Sequence, residues 1–414
     1  MLSELRKFRF PVETGLLLAF CLFLPLLELW KNLSLLLYLV AWITNRWRAR
    51  DFGGGWRVSD GVALLWLGAS YLAALFPGLE GGQPWAKTGD VAASALLFWM
   101  LSRSGYSKRE LRWLLGALVL STFAGLAIGY WRLWSGAGKS GTLQLYSVGH
   151  VNHTAIYIAI MLGVCASWLF ACWQRWPAGR RAAAFAVTAL VLVSLVVTAS
   201  RGAVGVGFAL VLALAFAWWP RWRVPLAGSI AAIVVAAALI TGFGAEVLRK
   251  QLDNAAAQNV LSFRDGIWRT GIVAWEKFPW FGVGKDNFGK ITQDNLRAWR
   301  SEAGKAYDPA LYYPYAHGHS LYVNTLAERG AAGFVALVAV LLATVIALLR
   351  YRPRPADDNL TWLAWGAAAS AWFVTVGVGA VNTTLHHEHG LLAALLLGLW
   401  LSTLRHSAAP RASS

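Results

Sequence analysis

Apolar residues along the chain gather into long blocks separated by short polar hinges. The blocks approach the ~20 residues that a helix needs to cross ~30 Å of hydrocarbon. The pattern predicts spans at about 13–29, 32–44, 59–76, 89–102, 112–134, 153–172, 183–199, 202–218, 226–243, 331–349, 361–381 and 390–404, twelve in all. The first two are short and broken at Glu28-Leu29-Trp30-Lys31-Asn32, which also suits a re-entrant pair. One interval departs from the rhythm. Residues 244–330 stay polar far longer than any hinge and hold Pro, Gly and aromatic clusters. The expected organisation is therefore residues 1–243 with spans one to nine, 244–330 as one large loop containing short helices, and 331–414 with spans ten to twelve and a tail. Loops held by a rigid scaffold are where polar chemistry is presented.

Composition agrees with this class. Hydrophobic residues are 57% of the 414 residues and charged residues only 14%, against roughly 25% charged in a soluble domain. The alternating pattern of an outer-membrane barrel is absent. The expectation is an all-α, polytopic membrane protein. Its net charge of +17 does not point to nucleic acid, because the basic residues sit in the hinges. They cluster at Arg46-Trp47-Arg48-Ala49-Arg50, Lys108-Arg109, Arg180-Arg181, Arg221-Trp222-Arg223 and Arg350-Tyr351-Arg352-Pro353-Arg354. That is the positive-inside pattern, not one basic face. It places both termini in the cytoplasm, and the loops near 77–88, 135–152, 200–201, 244–330 and 382–389 outside. Cys21, Cys165 and Cys172 lie in apolar runs, so no disulfide framework is indicated.

This topology puts His150, His153, His317, His319, His386, His387 and His389 on the outer side and leaves only His406 inside. Arg201 stands at an outer turn with almost no loop, against the positive-inside bias. It either snorkels to headgroups or captures an anion with its planar set of donors. Ser262 and Asp265 suggest a capping box opening a helix through Lys277, with Ile267, Trp268, Gly271, Ile272 and Trp275 as its apolar stripe. Arg264 shares that face, while Arg269 points elsewhere, toward solvent. His319 falls at the expected start of the helix that enters span ten, where the positive dipole end favours the neutral imidazole a general base requires. Metal binding competes for the same histidines. Neither His317/His319 nor His386-His387-Glu388-His389 has usual zinc spacing, and no H-E-x-x-H occurs. No G-x-S-x-G elbow, P-loop or dinucleotide fingerprint is present.

Four segments together resemble the bacterial O-antigen ligase and polymerase superfamily. His319-Ser320, nine further residues, and Gly330-Ala331-Ala332-Gly333 match the ligase pattern of His, a small polar residue, nine positions and Gly-x-x-Gly. Ser200-Arg201-Gly202 resembles its span-end arginine motif. Arg264 with Trp268, then Pro279-Trp280-Phe281-Gly282-Val283-Gly284, resembles its large-loop motif. His150-Val151-Asn152-His153 is similar to a weaker Asn-containing motif. Polymerases typically show paired Arg-x10-Gly motifs, which the outer arginines here lack, and protein O-oligosaccharyltransferases are usually longer; both differences favour the ligase.

The resemblance implies transfer of O-antigen from undecaprenyl diphosphate to a sugar hydroxyl of lipid A–core, at the periplasmic face of the inner membrane. It implies His319 as base and Arg201 and Arg264 as ligands of the carrier diphosphate. His317, Asn152, Arg269, Lys285 and His386 are secondary candidates. No cofactor or metal is expected, and the partners are the lipid-linked O-antigen, lipid A–core and membrane lipids. The alternatives are a polymerase or protein O-oligosaccharyltransferase with the same site, and, lower, a lipid-linked glycan transporter. A transporter calls for midplane charge and matching half-repeats, which the sequence does not show.

Overall fold

The computed structural model describes residues 10–137, 142–173, 176–219 and 263–407. The expected span 226–243, Ser262 and the opening of the large loop lie outside the described residues. The helices are α1 (Pro11–Phe23), α2 (Glu28–Ala49), α3 (Val58–Leu75), α4 (Pro84–Arg103), α5 (Lys108–Trp134), α6 (Val151–Cys172), α7 (Ala178–Val197), α8 (Arg201–Trp218), α9 (Arg264–Lys277), α10 (Gln293–Glu302), α11 (Leu321–Arg350), α12 (Asn359–Gly379) and α13 (His387–Ser407). No strand occurs among the described residues. Among the described residues seven helices, α3, α5, α6, α7, α8, α11 and α12, are long and apolar enough to cross a membrane. Every other expected span except 226–243 also falls on a helix, but α1 is short, and α2, α4 and α13 are not among those seven.

α6 is the axis of the bundle. It is apolar on all sides, and from Thr154 to Ser167 every residue is buried. A helix that is hydrophobic all round has no face to give to water, so its neighbours surround it. α7, α8, α12 and α13 do so.

The first break differs from expectation. It falls at Leu24–Leu27, on Pro25, and α2 takes in Glu28 and Lys31, the supposed hinge. Proline cannot donate the helical hydrogen bond, so the chain breaks there. Lys31 survives inside because it is buried against Glu388 at the start of α13. Arg46, read as part of a basic hinge, is likewise only 5% exposed and bonds Glu13 at 3.2 Å. Arg103 binds Asp60 through Nε and Nη2, at 2.8 and 2.5 Å. Such pairs tie helices together because removing one partner leaves a buried charge unmatched.

The described part of the large loop folds on its own small core of Ile267, Val273, Ala274, Val283, Phe288, Ile291, Leu296, Trp299 and Tyr312, closed by Ala327 of α11. α9 therefore buries Ile267, Thr270, Gly271 and Ala274, while Trp268 and Trp275 are only half-buried. The loop is then clasped to α11 at a kink. Gly330 has φ 60° and ψ −161° within that helix. The kink releases the Ala327 and Glu328 carbonyls, which accept from Val283 N (2.8 Å) and Gly284 N (3.1 Å), while Ala331 N and Ala332 N donate to the Pro279 and Trp280 carbonyls at 2.7 and 3.1 Å. A Cβ on Gly330 would lie 2.3 Å from the Trp280 backbone, and one on Gly282 2.4 Å from the Ala327 carbonyl. The Pro279–Gly284 segment and the Gly330 segment are thus two halves of one joint.

Candidate functional site

Arg201, Arg264 and His319 converge at the end of the bundle where α6, α8, α11 and α13 begin and α12 ends. Arg201 opens α8 behind a tight turn in which Ala199 is left-handed, φ 59°. Ser200 Oγ donates to Asn152 Oδ1 at 3.1 Å, which fixes that turn to the first residues of α6. Asn152 is therefore a neighbour of the arginine turn. Its observed contact supports Ser200. Arg201 itself is exposed.

Arg264 opens α9. The N-cap of this helix is Phe263, in the left-handed region at φ 60°, with no side-chain cap of its own, and Ser262, on which the expected capping box depends, lies outside the described residues. The helix start is held by tertiary contacts. Arg264 Nε donates to the Val381 carbonyl at 3.0 Å, and the Gly266 carbonyl accepts from Tyr313 N at 3.2 Å. The Arg264 guanidinium is half-buried, and its pKa is lowered first by burial and then by the neighbouring Arg201 charge. Two cations held at close quarters with one of them partly out of water form a place where a dianion relieves both.

His319 precedes the helix start and does not occupy it. Ser320 is the N-cap of α11, with Oγ accepting from Val323 N at 3.4 Å and donating to the Gly379 carbonyl at 3.3 Å. His319 sits one residue earlier with φ 44°. Its pKa is pushed down to about 4, by burial first and then by His317 and Arg264, while the neighbouring Asn382 side chain pulls it upward. Desolvation and neighbouring charge thus favour the neutral imidazole. Nδ1 of His319 is buried without a hydrogen-bond partner. The His317 ring lies 4.3 Å away between centroids, and its pKa is also lowered, by burial and then by His150. Tyr315 packs 5.1 Å from the His319 ring, and a row of exposed aromatics continues outward through Tyr313 to Phe263.

The secondary candidates separate. Arg269 is exposed on α9, as its helix position predicts. Lys285 forms an ion pair at 3.4 Å with Glu328 of α11, which is 3% exposed on its side chain, so its contact braces the joint. Even so, its charge acts on His317 and His386. His386 Nε2 lies 3.0 Å from both the carbonyl and the Oγ1 of Thr383.

Two features escaped the sequence pattern. Segment 379–386 is the hub of the site: it accepts from Arg264 at Val381, from Ser320 at Gly379 and from Leu321 N at Asn382 (3.0 Å). Nothing in its composition announces three backbone acceptors. The second feature is a histidine cluster. Among the described residues, His153, His386 and His387 each offer a donor atom, and these atoms all lie within 4.8 Å of one another. Linear zinc spacing could not reveal this, since His153 comes from α6, His386 from the α12–α13 connection and His387 from the start of α13. A cavity of about 440 Å³ lined by Trp218, Arg352 and Trp362 lies at the opposite end of the bundle, away from these groups.

Residues 186–338 match the protein-family model described as O-Antigen ligase. That region holds Arg201, Arg264, His319 and Gly330, and ends before segment 379–386. No curated protein matches the chain. The family match agrees with the superfamily that the four motifs resemble.

Proposed function

We propose that this chain, a member of the O-antigen ligase superfamily, transfers O-antigen from undecaprenyl diphosphate to a sugar hydroxyl of lipid A–core. The observation that carries the reading is the position of Arg264, which feels the charge of Arg201 and whose own charge acts on His319, although the three come from separate segments. A base and a pair of cations side by side match the two demands of the reaction.

The acceptor hydroxyl attacks the anomeric carbon as the bond from that carbon to the diphosphate oxygen breaks. His319, neutral at pH 7, takes the hydroxyl proton. Negative charge grows on the departing diphosphate, and Arg201 and Arg264 receive it with charge-assisted hydrogen bonds that strengthen along the reaction path. Attack opposite the leaving group inverts the anomeric centre. The carrier diphosphate is itself a good leaving group, so donor activation asks for no nucleotide. The exposed row of Phe263, Tyr313 and Tyr315 beside His319 offers flat apolar faces for sugar rings. In this reading the site end of the bundle faces the periplasm, where both lipid substrates present their glycans.

Purified protein given lipid-linked glycan together with lipid A–core, a glycan or a peptide as acceptor tests the reading. Transfer to lipid A–core is expected. Transfer only to the growing glycan or only to peptide would replace ligation by polymerisation or protein glycosylation at the same site.

A further inference from the structure

Histidines at the site end are too concentrated for the transfer reaction to use them all. His153 lies with its ring centroid 4.9 Å from His386, 4.8 Å from His387 and 5.3 Å from His389. His386 and His387 are 4.3 Å apart. One member is in an expensive state. His389 is 1% exposed, and neither of its ring nitrogens makes a hydrogen bond; the Thr383 backbone is close by without completing one. A buried polar side chain with both nitrogens unpartnered, set against three imidazoles whose donor atoms converge, points to a ligand held among them.

We propose that His153, His386 and His387 bind a divalent transition-metal ion of the zinc class, with His389 as a fourth imidazole or as partner to a metal-bound water. The donor chemistry selects the ion. Imidazoles without carboxylates favour zinc, cobalt, nickel or copper over calcium or magnesium. His386 already carries the outer contact that such ligands use: a ring that donates Nε2–H to the Thr383 carbonyl presents an unprotonated Nδ1. A tetrahedral ion bonded at ~2.0–2.1 Å draws its nitrogens to about 3.3 Å from one another. The present separations, up to 4.8 Å, close by small rotations of the rings. Two carboxylate charges, Glu388 and Asp90, act on His387 in favour of a cation, and two lysine charges, Lys285 and Lys31, act against it. Each lysine is already matched by a carboxylate, Glu328 and Glu388.

The ion's place in the fold gives it a role. It would link the first turn of α6 to the end of segment 379–386, the segment whose carbonyls hold Arg264, Ser320 and Leu321. It acts as a clamp on the floor of the site and adds no step to transfer, so the inference stands whether the acceptor is lipid A–core or another hydroxyl.

The test uses the full chain without a polyhistidine tag, stripped with chelator, re-equilibrated with zinc and desalted. Metal analysis should find one zinc per chain, with a higher thermal unfolding midpoint than in EDTA. His153→Ala and His387→Ala should each weaken retention at least tenfold against a competing chelator while unfolding, in EDTA, where the wild type does. His317→Ala should retain the ion. Cobalt-loaded wild type should show the visible absorption of a tetrahedral nitrogen site, a readout that needs no variant to fold. Wild type that retains no zinc and shows no such band overturns the proposal. So does wild-type retention in both His153→Ala and His387→Ala, or loss confined to His317→Ala, which would move the ion to the other histidine pair.

Discussion

Arg264 Nε donates to the carbonyl of Val381 at 3.0 Å, joining the first residue of α9 to the turn that ends α12. The bond fixes the planar guanidinium by one edge and leaves its terminal nitrogens directed by that constraint. Lysine has no equivalent of Nε, so it can replace the charge but not the anchorage. Arg264→Ala and Arg201→Ala should each lower turnover by ~10²–10³, the usual loss for one donor to a developing anion. Arg264→Lys should recover little of it. Steady-state transfer from lipid-linked glycan measures this, with unfolding midpoints as the control for folding. Turnover near wild type in either alanine variant would take that arginine out of the proposed diphosphate site.

His319→Ala should cut transfer by ~10²–10⁴, the range for loss of a general base. Binding of the lipid-linked donor should persist, since the arginines remain. His317→Ala should have a smaller effect, because its ring packs on His319 and lies outside the His-Ser motif. Comparable losses in both variants would mean that the pair acts as one unit and that the base is not His319 alone.

The pH profile follows from the lowered pKa of His319. Sequence alone suggests a limb near neutrality, whereas burial, His317 and Arg264 hold the imidazole at about 4. The neutral, proton-accepting form therefore persists as pH falls below neutrality and is lost only near pH 4. In the free enzyme kcat/KM should stay flat from neutral pH down through the ordinary histidine range. His319 also makes the fold less stable as pH drops from its unfolded value, ~6.5, toward 4, because only the unfolded chain then binds the proton. A wild-type limb at 6.5 that disappears in His319→Ala would show that the site is wetter than its burial implies.

Gly330→Ala should damage the protein without touching a substrate. Its φ of 60° disfavours a side chain, and the added Cβ would meet the Trp280 backbone at 2.3 Å. Strain of this kind costs about 1–3 kcal/mol, before any displacement of the 279–284 segment. Thermal unfolding should show the loss, and transfer should fall with it because α9 and His319 hang from the same joint. An unchanged midpoint would mean that the kink is not held by these contacts.

Topology is tested by single-cysteine labelling in a chain whose Cys21, Cys165 and Cys172 are replaced. Positions in 263–318 should label from the periplasmic side, and positions in 103–110 and 350–358 from the cytoplasmic side. Labelling of 263–318 from the cytoplasm would contradict the proposed placement of both lipid substrates.

The sequence by itself determined the class of this protein, because the length of an apolar helix and the cost of an unpaired backbone in lipid are local constraints that each segment meets on its own. It located the arginine turn at 201, the loop helix at 264–277 and the His319-Ser320 start of α11 for the same reason: a proline, a charge between apolar runs or a helix cap is visible within a few residues. It misplaced the first break, since Lys31 looks like a hinge until Glu388 is found beside it. It read the neutrality of His319 from a nearby helix start and could not see the burial or the charge of Arg264, remote in sequence, that favour it. It could not foresee that Gly282 and Gly330 close one joint, that segment 379–386 supplies three backbone acceptors, or that His153 meets His386 and His387. Those relationships are contacts between distant segments, and packing in three dimensions, which no local pattern encodes, is what created them.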